Sequence, residues 1–314
     1  MRKVTIIMST YNGEKYIEDQ IDSIFKQSDV DIKLIIRDDG STDLTREIIS
    51  KKIIEYKSIE MYFDGNNIGA CNSFLWLLEK SNDIDSDYYA FCDQDDIWAP
   101  NKLNAAIKMI EKEEQINDSL PILYCSAVTF VDEDLNVIAN SFINTDQITF
   151  ERSIFDNRAI GCTLVFNKRL IQKYLKYFNG YEKYIVMHDW TLVLLAHLIG
   201  KVVYDNNSYI FYRQHSNNVV GGTNIKKSFV NKLYHFYTRD IQKQNNSRTK
   251  QLKFFQQRFK DNLSNEQYSF IDLFFENYRR NILSRLFYIL FNPIPAYSNN
   301  MKLKLCALFL MKKI

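Results

Sequence analysis

Short apolar runs alternate with amphipathic segments over residues 1–80, and a polar turn lies between each run and the segment that follows it. Apolar residues recur at helical spacing in the amphipathic segments, and the short runs are rich in β-branched residues. The pattern predicts three strand–turn–helix units, with strands over Val4–Met8, Ile32–Ile36 and Glu60–Phe63 and helices over Glu14–Phe25, Leu44–Tyr56 and Ala70–Lys80. Such units predict an α/β fold with a mostly parallel sheet and right-handed crossovers, which puts the three polar turns at one carboxyl edge.

A fourth apolar run, Tyr88–Cys92, ends abruptly in the three carboxylates of Asp93, Asp95 and Asp96. As a buried strand it would deliver these side chains to the carboxyl end of the sheet, where open α/β sheets bind ligands. Carboxylates this close repel one another unless a cation lies between them, and hard oxygen ligands suit Mg²⁺ or Mn²⁺. Two interpretations stay open: a divalent ion that bridges carboxylate and diphosphate, or a solvated acidic turn that caps a helix beginning near Pro100.

The alternation continues along the next part of the chain. Helices are predicted over Asn101–Glu114, from Lys168 onward and over Thr191–Ile199, and residues 132–136 are typical of a hairpin turn. Further strands are predicted over Ile122–Val131, Ala159–Phe166, Val202–Tyr204 and Tyr209–Tyr212. After Gly222 strand signals become rare and helical apolar spacing dominates. We therefore predict one domain over residues 1–222 and a helical basic region over residues 223–314.

The charge balance supports this division. The chain has 314 residues, of which 46% are hydrophobic, so it can bury a large core, and its net charge of +2 hides an asymmetry. Residues 1–225 carry 23 basic and 33 acidic side chains, whereas residues 226–314 carry 17 and 5. A basic region suits an anionic membrane surface or nucleic acid. Because it contains no nucleic-acid recognition motif, we do not predict a nucleic-acid partner.

The cysteines and the amino terminus bear on the compartment. The five cysteines are odd in number and lie at intervals far wider than a metal-binding Cys-x-x-Cys pair, which predicts reduced core residues. The amino-terminal apolar run becomes polar after Met8, too soon for a signal peptide, and no apolar run reaches the roughly 18 residues of a spanning helix. We expect a cytoplasmic protein, peripheral at the inner face of the cell membrane if its basic region binds lipid.

Five motifs follow one another at the predicted strand ends. They are Ser9-Thr10-Tyr11-Asn12-Gly13, Asp38-Asp39-Gly40-Ser41-Thr42-Asp43, Asn67-Ile68-Gly69 with Asn72, Asp93-Gln94-Asp95-Asp96-Ile97-Trp98 and His188-Asp189-Trp190. In this order they resemble the signature of family 2 inverting glycosyltransferases with the GT-A fold, over about residues 3–220. Gly161-Cys162-Thr163 and the stretch from Tyr212 to Gly221 look most like bacterial rhamnosyltransferases that build surface polysaccharides. The resemblance implies a GT-A catalytic domain over residues 1–222.

The resemblance also implies a divalent metal, Mn²⁺ or Mg²⁺, at the acidic strand end. Asp95 resembles the carboxylate that binds the metal directly, and Asp93 the one that reaches the ribose or, through water, the ion. Asp96 resembles a contact to the donor sugar, and His215 a later histidine that completes the metal shell in some relatives. Such an ion would neutralise the leaving diphosphate. A purely structural role for His215 stays open, because a lone histidine is usually structural.

The first two turns resemble a nucleoside site. Thr10 and Tyr11 resemble the residues that bracket the base, with Tyr11 able to stack on it, and Asp39 resembles the carboxylate that accepts a hydrogen bond from a pyrimidine N–H. The alternatives are helix caps for Thr10 and Asp39 and a core position for Tyr11. At Gly69, glycine would permit close backbone approach. The implied donor contacts also include Asn12, Asn67, Gly69, Asn72, Gln94 and Lys102.

Inversion by direct displacement needs a base on the acceptor hydroxyl, and the resemblance assigns this role to Asp189. Asp189 lies at the start of a predicted helix, where the helix dipole lowers a carboxyl pKa, so its base strength has to come from burial and from the acceptor complex. His188 and Trp190 are the implied acceptor contacts. His188 replaces the glutamate that many relatives carry, and core packing is the alternative for Trp190.

Two apolar patches in the basic region, residues 286–291 and 305–311, have basic residues on their flanks. The flanking residues are Arg279, Arg280, Arg285, Lys302, Lys304, Lys312 and Lys313. Amphipathic segments of this kind lie in anionic membrane interfaces, which suits an enzyme with a lipid-linked acceptor. The alternative is helices that pack on the catalytic domain and expose a solvated basic face.

These inferences predict a metal-dependent inverting glycosyltransferase that moves L-rhamnose from dTDP-rhamnose onto a lipid-linked or growing surface-polysaccharide acceptor. One alternative is an enzyme of the same fold that uses a UDP-hexose. Another is a non-catalytic scaffold that binds sugar nucleotides. The presence of both Asp95 and Asp189 argues against the scaffold, because a binding module does not need a base.

Overall fold

A nine-stranded mixed sheet organises the larger part of the chain. The structure, a computed structural model, describes residues 1–141, 148–155, 157–215, 247–292, 294–295 and 299–312. The chain divides into two units: the first comprises Met1–Thr145, Ala159–Glu182 and Met187–His215, and the second comprises Asp146–Arg158, Lys183–Val186 and Ser216–Ile314. The predicted domain boundary at residue 222 lies outside the described residues. Within those residues, no helix is long and apolar enough to cross a membrane.

The first unit holds the nine strands of the sheet and six of the described α-helices. The strands are β1 Arg2–Thr10, β2 Val30–Asp38, β3 Ile59–Phe63, β4 Tyr88–Cys92, β5 Ile97–Trp98, β6 Ile122–Val131, β7 Val137–Asn140, β8 Val165–Asn167 and β9 Lys201–Arg213. The helices of this unit are α1 Ile17–Phe25, α2 Thr45–Glu55, α3 Ala70–Lys80, α4 Lys102–Glu114, α6 Lys168–Phe178 and α7 His188–Ile199. The three predicted strand–turn–helix units are therefore present.

Four strands, in the order β3-β2-β1-β4, form a parallel half of the sheet. Their registers align the strand ends: Thr10 of β1 lies beside Asp38 of β2, and Met8 of β1 lies beside Cys92 of β4. All five residues of β4 are buried, and since successive side chains point to opposite faces, both faces of the sheet are covered there. The turns after β1, β2 and β4 consequently meet at one edge.

The other half of the sheet is mainly antiparallel, in the order β4-β8-β6-β9-β5, with only the β6–β9 pair parallel. Here the structure corrects the two short strands predicted over residues 202–204 and 209–212, because β9 is continuous through Asp205 and Ser208. Ser126 of β6 pairs with Asp205 and the next residue, Ala127, pairs with Ser208. A bulge therefore takes up the polar residues that resembled a turn.

The strand predicted over Ala159–Phe166 is also corrected. Gly161–Thr163 forms a 3₁₀ turn, and the strand β8 covers only Val165–Asn167. Cys162 and Leu164 are nevertheless fully buried, so the apolar run reflects burial rather than extended structure. Antiparallel pairing of β6 and β7 around residues 132–136 agrees with the hairpin turn expected there.

The second unit is helical in its described part. Its helices are α5 Phe150–Ser153, α8 Ser247–Arg258, α9 Asn265–Arg279, α10 Ile282–Phe291 and α11 Asn299–Leu310. Helix α9 begins with a capping box, in which the Ser264 hydroxyl accepts from the Gln267 N–H and the Gln267 side chain accepts from the Ser264 N–H. Aromatic rings fill the interior, with Phe274 and Phe309 in tilted contact at 5.2 Å.

Candidate active site

The turn after β1 is held against the acidic strand end by Gln94. The Tyr11 N–H donates to Gln94 Oε1 (2.9 Å), and Gln94 Nε2 donates to the Tyr11 carbonyl (3.1 Å). Gly13 has no space for a side chain, because a Cβ there would overlap the Gln94 amide. The Tyr11 side chain is 48% exposed, so it is not a core aromatic. Its ring is available for stacking at the carboxyl edge of the sheet.

Asp38 ties the first turn to the second. The Thr10 hydroxyl donates to Asp38 Oδ2 (3.1 Å), and the Ser41 N–H donates to Asp38 Oδ1 (2.9 Å). Asn12 adds two bonds, since its N–H donates to the Ser41 hydroxyl and its Oδ1 accepts from the Thr42 N–H, each at 2.9 Å. Thr10 lies in β1 and is not a helix cap. These bonds fix the main chain around the predicted nucleoside site.

Asp39 is buried and lies between the second turn and residues 64–69, which connect β3 to α3 and carry the implied donor contacts Asn67 and Gly69; we call residues 64–69 the donor loop. Its Oδ1 accepts from the Ile68 N–H and its Oδ2 from the Gly69 N–H, both at 2.8 Å, and Oδ1 also accepts from Arg37. A carboxylate offers about four lone-pair sites. Three are occupied, which leaves one acceptor site, on Oδ2.

Arg37 organises this loop from beneath. It is fully buried at the end of β2, and its guanidinium donates to Asp39, to the Ser73 hydroxyl (2.9 Å) and to both carboxylate oxygens of Asp64 (3.0 and 3.2 Å). It also donates to the Asn66 carbonyl (3.1 Å). One planar cation thus fixes both the Asp39 carboxylate and the loop that Asp39 binds.

We expect Arg37→Met to lower the free energy of unfolding by about 3 kcal/mol, because it leaves the buried Asp39 carboxylate without its cation. Urea denaturation measures this change. Lys33→Met is the matched control, since Lys33 pairs with Glu60 on the surface and exposed ion pairs contribute little. Equal stability of the two variants would contradict a structural role for the Arg37 network.

The predicted donor loop is shaped by glycine conformation rather than by close packing. Gly69 has a φ of +83°, and a Cβ there would meet nothing within 4 Å. Glycine is favoured at this position because of its backbone conformation, which corrects the close approach expected from the sequence. The Asn72 side chain donates to the Ile68 carbonyl (2.8 Å) and so steadies the loop, while Asn67 is exposed beside it.

Three polar groups converge at the end of β4. Ligand atoms of Asp93, Asp96 and Cys162 all lie within 4.8 Å of one another. Burial, with the charges of neighbouring aspartates, raises the pKa of both Asp93 and Asp96. Burial likewise raises the pKa of the Cys162 thiol well above its usual range, so the sulfur stays protonated and is a poor ligand for a hard cation.

Asp95 and His215 form the pair that fits a divalent ion. Asp95 Oδ2 and His215 Nε2 lie 2.8 Å apart, at the ends of β4 and β9. Adjacent ligand atoms of an octahedral ion with bonds of ~2.1 Å lie about 3 Å apart, so one Mg²⁺ or Mn²⁺ could take both atoms. Asp93 is near enough for the Asp95 charge to raise its pKa, but its ligand atoms group with those of Asp96 and Cys162 rather than with this pair. Asp95 and His215 therefore fit two adjacent positions of the expected metal.

Arg213 braces this pair. Its N–H donates to Asp96 Oδ1 (3.1 Å), its Nε–H to the Asp95 carbonyl (3.0 Å) and its Nη1–H to the Glu133 carbonyl (2.5 Å). The guanidinium carbon also lies 4.6 Å from the centre of the Tyr16 ring, which contacts the His215 ring at 5.0 Å. Arg213 thus fixes the backbone of the acidic turn and the strand end that carries His215.

Lys102 lies in a different place from the one the resemblance implied. Its side chain is fully buried, and its ammonium group stacks on the Trp98 ring, 3.6 Å from the ring centre. Burial lowers the pKa of Lys102 to about 8, although nearby Cys92, Cys162 and Asp96 partly oppose this change. The buried ammonium lies on the core side of residues 93–96, where its positive charge offsets that of Asp96. It is not exposed to a donor molecule.

Asp189 begins α7 and lies beside the acidic turn. Its Oδ1 accepts from the Trp190 N–H (2.6 Å), and its Oδ2 lies 3.4 Å from where a Cβ of Gly161 would be. Burial raises the pKa of Asp189 to about 6, and this effect outweighs the backbone N–H groups that lower it. Asp189 also raises the pKa of Asp93, so the two carboxylates share one electrostatic environment. A carboxylate with these properties can accept a proton near neutral pH.

His188 and Trp190 point into the core. Each is 5% exposed, and the His188 ring stacks on Phe74 at 4.0 Å with Phe91 at its edge. Burial lowers the pKa of His188 to about 3, and within the described residues neither of its ring nitrogens has a hydrogen-bond partner. This placement leaves little ring surface for the acceptor sugar that the resemblance assigned to them. Both rings instead fix the start of α7.

The family model for glycosyl transferase family 2 matches residues 5–175, more than half of the chain. The chain belongs to glycosyl transferase family 2. The match begins within β1 and ends within α6, so it includes the nucleoside turns, the donor loop and the acidic strand end.

Two curated relatives of this family 2 glycosyltransferase extend beyond that span. The dTDP-rhamnosyl transferase RfbG of Shigella flexneri is 31% identical over 220 residues, which are 68% of this chain and 73% of the relative. The UDP-Glc:alpha-D-GlcNAc-diphosphoundecaprenol beta-1,3-glucosyltransferase WfgD of Escherichia coli is 29% identical over 202 residues, 63% of this chain and 72% of the relative. The chain is therefore similar to enzymes that differ in donor sugar.

A solved structure supports the fold. The mannosyltransferase PcManGT from Pyrobaculum calidifontis, in complex with GDP-Man and Mn²⁺, matches 99% of this chain and 85% of its own, with a TM-score of 0.54 and 14% identity. The GT-A fold expected from the sequence is confirmed.

Sequence reasoning missed three residues that shape the site: Arg37, Arg213 and Cys162. Arg37 has a local signal, since a charged residue directly after the apolar run of residues 34–36 needs buried partners. Arg213 and Cys162 lie in the stretches that resemble rhamnosyltransferases, but that resemblance implies no role for either side chain. Their contacts with the acidic turn join segments far apart in sequence, which spacing along the chain does not reveal.

Proposed function

We propose that this family 2 glycosyltransferase is a metal-dependent inverting enzyme that transfers L-rhamnose from dTDP-rhamnose to a lipid-linked or growing surface-polysaccharide acceptor. The observation that carries the proposal is the meeting of Asp95, His215 and Asp93 with Asp189 at one edge of the sheet. Groups suited to hold a diphosphate and a group suited to take a proton thus lie side by side. The donor assignment rests on similarity to a dTDP-rhamnosyl transferase.

In the proposed complex the nucleoside lies over the first two turns. The exposed Tyr11 ring stacks on the base, and the remaining acceptor site of Asp39 Oδ2 takes the N–H of the pyrimidine ring. Uracil and thymine share this N–H, so Asp39 selects pyrimidines without choosing between UDP and dTDP donors. Gln94 keeps Tyr11 in place through its two bonds to the main chain.

The diphosphate lies at the acidic turn. Asp95 and His215 would hold Mn²⁺ or Mg²⁺, with Asp93 reaching the ion through water, and the ion would supply positive charge to the leaving group. Manganese is present in the related mannosyltransferase structure, and the oxygen and imidazole donors of this site suit either ion. Arg213 keeps the two strand ends that carry these donors together.

Asp189 acts as the base in the proposed reaction. It takes the proton of the acceptor hydroxyl while the acceptor oxygen bonds to the anomeric carbon and the bond from that carbon to the diphosphate breaks. Attack from the face opposite the leaving group inverts the configuration. Gly161 borders this carboxylate, since a Cβ there would lie 3.4 Å from Asp189 Oδ2, an ordinary contact distance.

A second candidate is a UDP-hexose donor with the same mechanism. It is favoured by the similarity to WfgD, whose name gives UDP-glucose as donor and a diphosphoundecaprenol-linked acceptor. A single hydroxyl contact can decide between donor sugars. The same relative supports a lipid-linked acceptor for either donor.

Calorimetric titration of the purified protein tests the proposal. We expect dTDP-rhamnose to bind more tightly than UDP-glucose or UDP-galactose in the presence of Mn²⁺ or Mg²⁺, and EDTA to weaken that binding. Tyr11→Ala should reduce nucleotide affinity by about tenfold through lost stacking. Leu44→Ala, at an exposed residue, is the control and should leave that affinity unchanged. Preference for a UDP-sugar would move the assignment to the second candidate, and no nucleotide binding would favour the scaffold alternative.

A further inference from the structure

Helix α10 in the second unit exposes its apolar side chains to solvent and buries polar ones. Its outward face consists of six large apolar side chains that are between 43% and 74% exposed, namely Ile282, Leu283, Leu286, Phe287, Leu290 and Phe291. Its two buried side chains are Arg285 and Tyr288. A helix at a protein surface normally buries its apolar face and exposes its polar one. We call these six residues the α10 apolar face.

The apolar surface extends beyond this helix within the same unit. Phe291 and the half-exposed Leu273 line a cavity of about 260 Å³, with Phe155, Phe270 and Ile294 among its other walls. Contiguous apolar surface of this kind marks an interaction site, whereas single exposed apolar residues are ordinary. The α10 apolar face therefore needs a covering partner.

Charge identifies the chemistry of that partner. After Glu276 the sequence has no acidic residue, while Arg279, Arg280 and Lys312 are exposed around the ends of α9 and α11. Lys302 and Lys304 lie half-exposed on α11. A second copy would bring together two surfaces on which these five basic side chains outnumber the exposed Glu276, which pairs with Arg280. An anionic lipid surface offers acyl chains for the apolar face and phosphates for the basic side chains.

We infer that α10 lies in the interface of an anionic membrane, with the α10 apolar face among the acyl chains and the surrounding Arg and Lys side chains at the lipid phosphates. The inference deepens the lipid-linked acceptor of the proposed function, which rests on sequence similarity, by giving the chain its own means of reaching a bilayer. It concerns the second unit alone and requires no sugar nucleotide.

Sedimentation with lipid vesicles tests the inference in the full chain without donor. We expect the wild-type protein to sediment with vesicles containing about one third phosphatidylglycerol and to bind pure phosphatidylcholine vesicles at least about tenfold more weakly. The double variant Phe287→Glu, Leu290→Glu should reduce binding to the anionic vesicles by about tenfold or more. Ile54→Glu is the matched control, since Ile54 is 72% exposed on α2 of the first unit, and its binding should stay within about twofold.

Three outcomes would overturn the inference: no sedimentation of the wild type, equal sedimentation of the double variant, or equal loss in the Ile54 control. Light scattering covers a protein partner, because a dimer that the double variant abolishes, without vesicle binding, would assign the α10 apolar face to self-association. Thermal unfolding checks that both variants fold, which we expect because the changed side chains already face solvent. Donor titration of the same samples separates a failure here from a failure of the proposed transfer reaction.

Discussion

Replacing Asp189 by asparagine is expected to lower sugar transfer by about 10²- to 10⁴-fold while donor binding stays intact. Asparagine keeps the size of the side chain and can still accept the Trp190 N–H, so α7 should begin as before. What it lacks is an oxygen able to take the acceptor proton. Transfer measured under saturating donor and metal, beside calorimetric binding of the donor, separates the two effects.

Asp85→Asn is the matched control for this change. Asp85 is exposed and precedes the amino end of β4, away from the acidic strand end, so it should have no influence on transfer. Undiminished transfer by the Asp189 variant, with a properly bound donor, would remove Asp189 from the role of base. A loss of donor binding together with transfer would instead place Asp189 in the donor site.

The pH profile gives an independent test of the same residue. Burial raises the pKa of Asp189 to about 6, and the base works only when deprotonated, so kcat/KM should fall as the pH drops below about 6 and reach roughly a tenth of its plateau one unit lower. The residual activity of Asp189→Asn should lack this acidic limb. An unchanged limb in the variant would assign the titration to another group.

The parallel half of the sheet could be predicted because its information is local. Each of the first three strands contains a short apolar run next to a polar turn and a helix, and β4 is apolar throughout. Parallel connections place the turns at one edge of the sheet, so the sequence predicts that the nucleoside turns and the acidic strand end lie together. The register of β1 with β2 and β4 agrees with this reasoning.

The second half could not be predicted to the same depth, because its strands depend on partners distant in sequence. β9 crosses four polar residues, 205–208, that resemble a turn until β6 absorbs them in a bulge. Cys162 is buried in a 3₁₀ turn because it packs against the acidic cluster, and no periodicity signals such a position. Tertiary pairing overrides local pattern at both places.

The same distinction holds within the site. Asp93, Asp95 and Asp189 were identifiable because they stand at predicted strand and helix ends within motifs that resemble a known family. The burial of His188, Trp190 and Lys102 depends on which side of each element faces the core, and short motifs do not carry that information. Gly69 illustrates a smaller difference: glycine was expected, but its reason is a positive φ and not a close neighbour.

Replacing Asp95 by asparagine is expected to lower transfer by about 10²-fold or more and to abolish the response of donor binding to Mn²⁺ or Mg²⁺. The reason is that Asp95 Oδ2 and His215 Nε2 lie 2.8 Å apart, so loss of the anionic oxygen removes one of two converging ligands. His215→Ala should weaken metal-dependent binding less, because the carboxylates keep their charge. Activity assays with added metal and with EDTA measure both effects.

Asp83→Asn, on an exposed turn after α3, is the control for the Asp95 and His215 variants. Wild-type transfer that persists in EDTA, or an Asp95 variant with full activity, would contradict metal use at this site.

In the Asp95→Asn variant, the unfolding temperature should stay the same or rise while transfer activity falls. The charge of Asp95 raises the pKa of both Asp93 and Asp96, which means that the three carboxylates repel one another in the metal-free protein. Removing one charge relieves that repulsion, so the metal-free variant should unfold at the same temperature as the wild type or higher. A variant that is inactive yet at least as stable shows that the fold keeps these carboxylates together for binding and at a cost in stability, whereas an unstable variant would mean that Asp95 serves the structure.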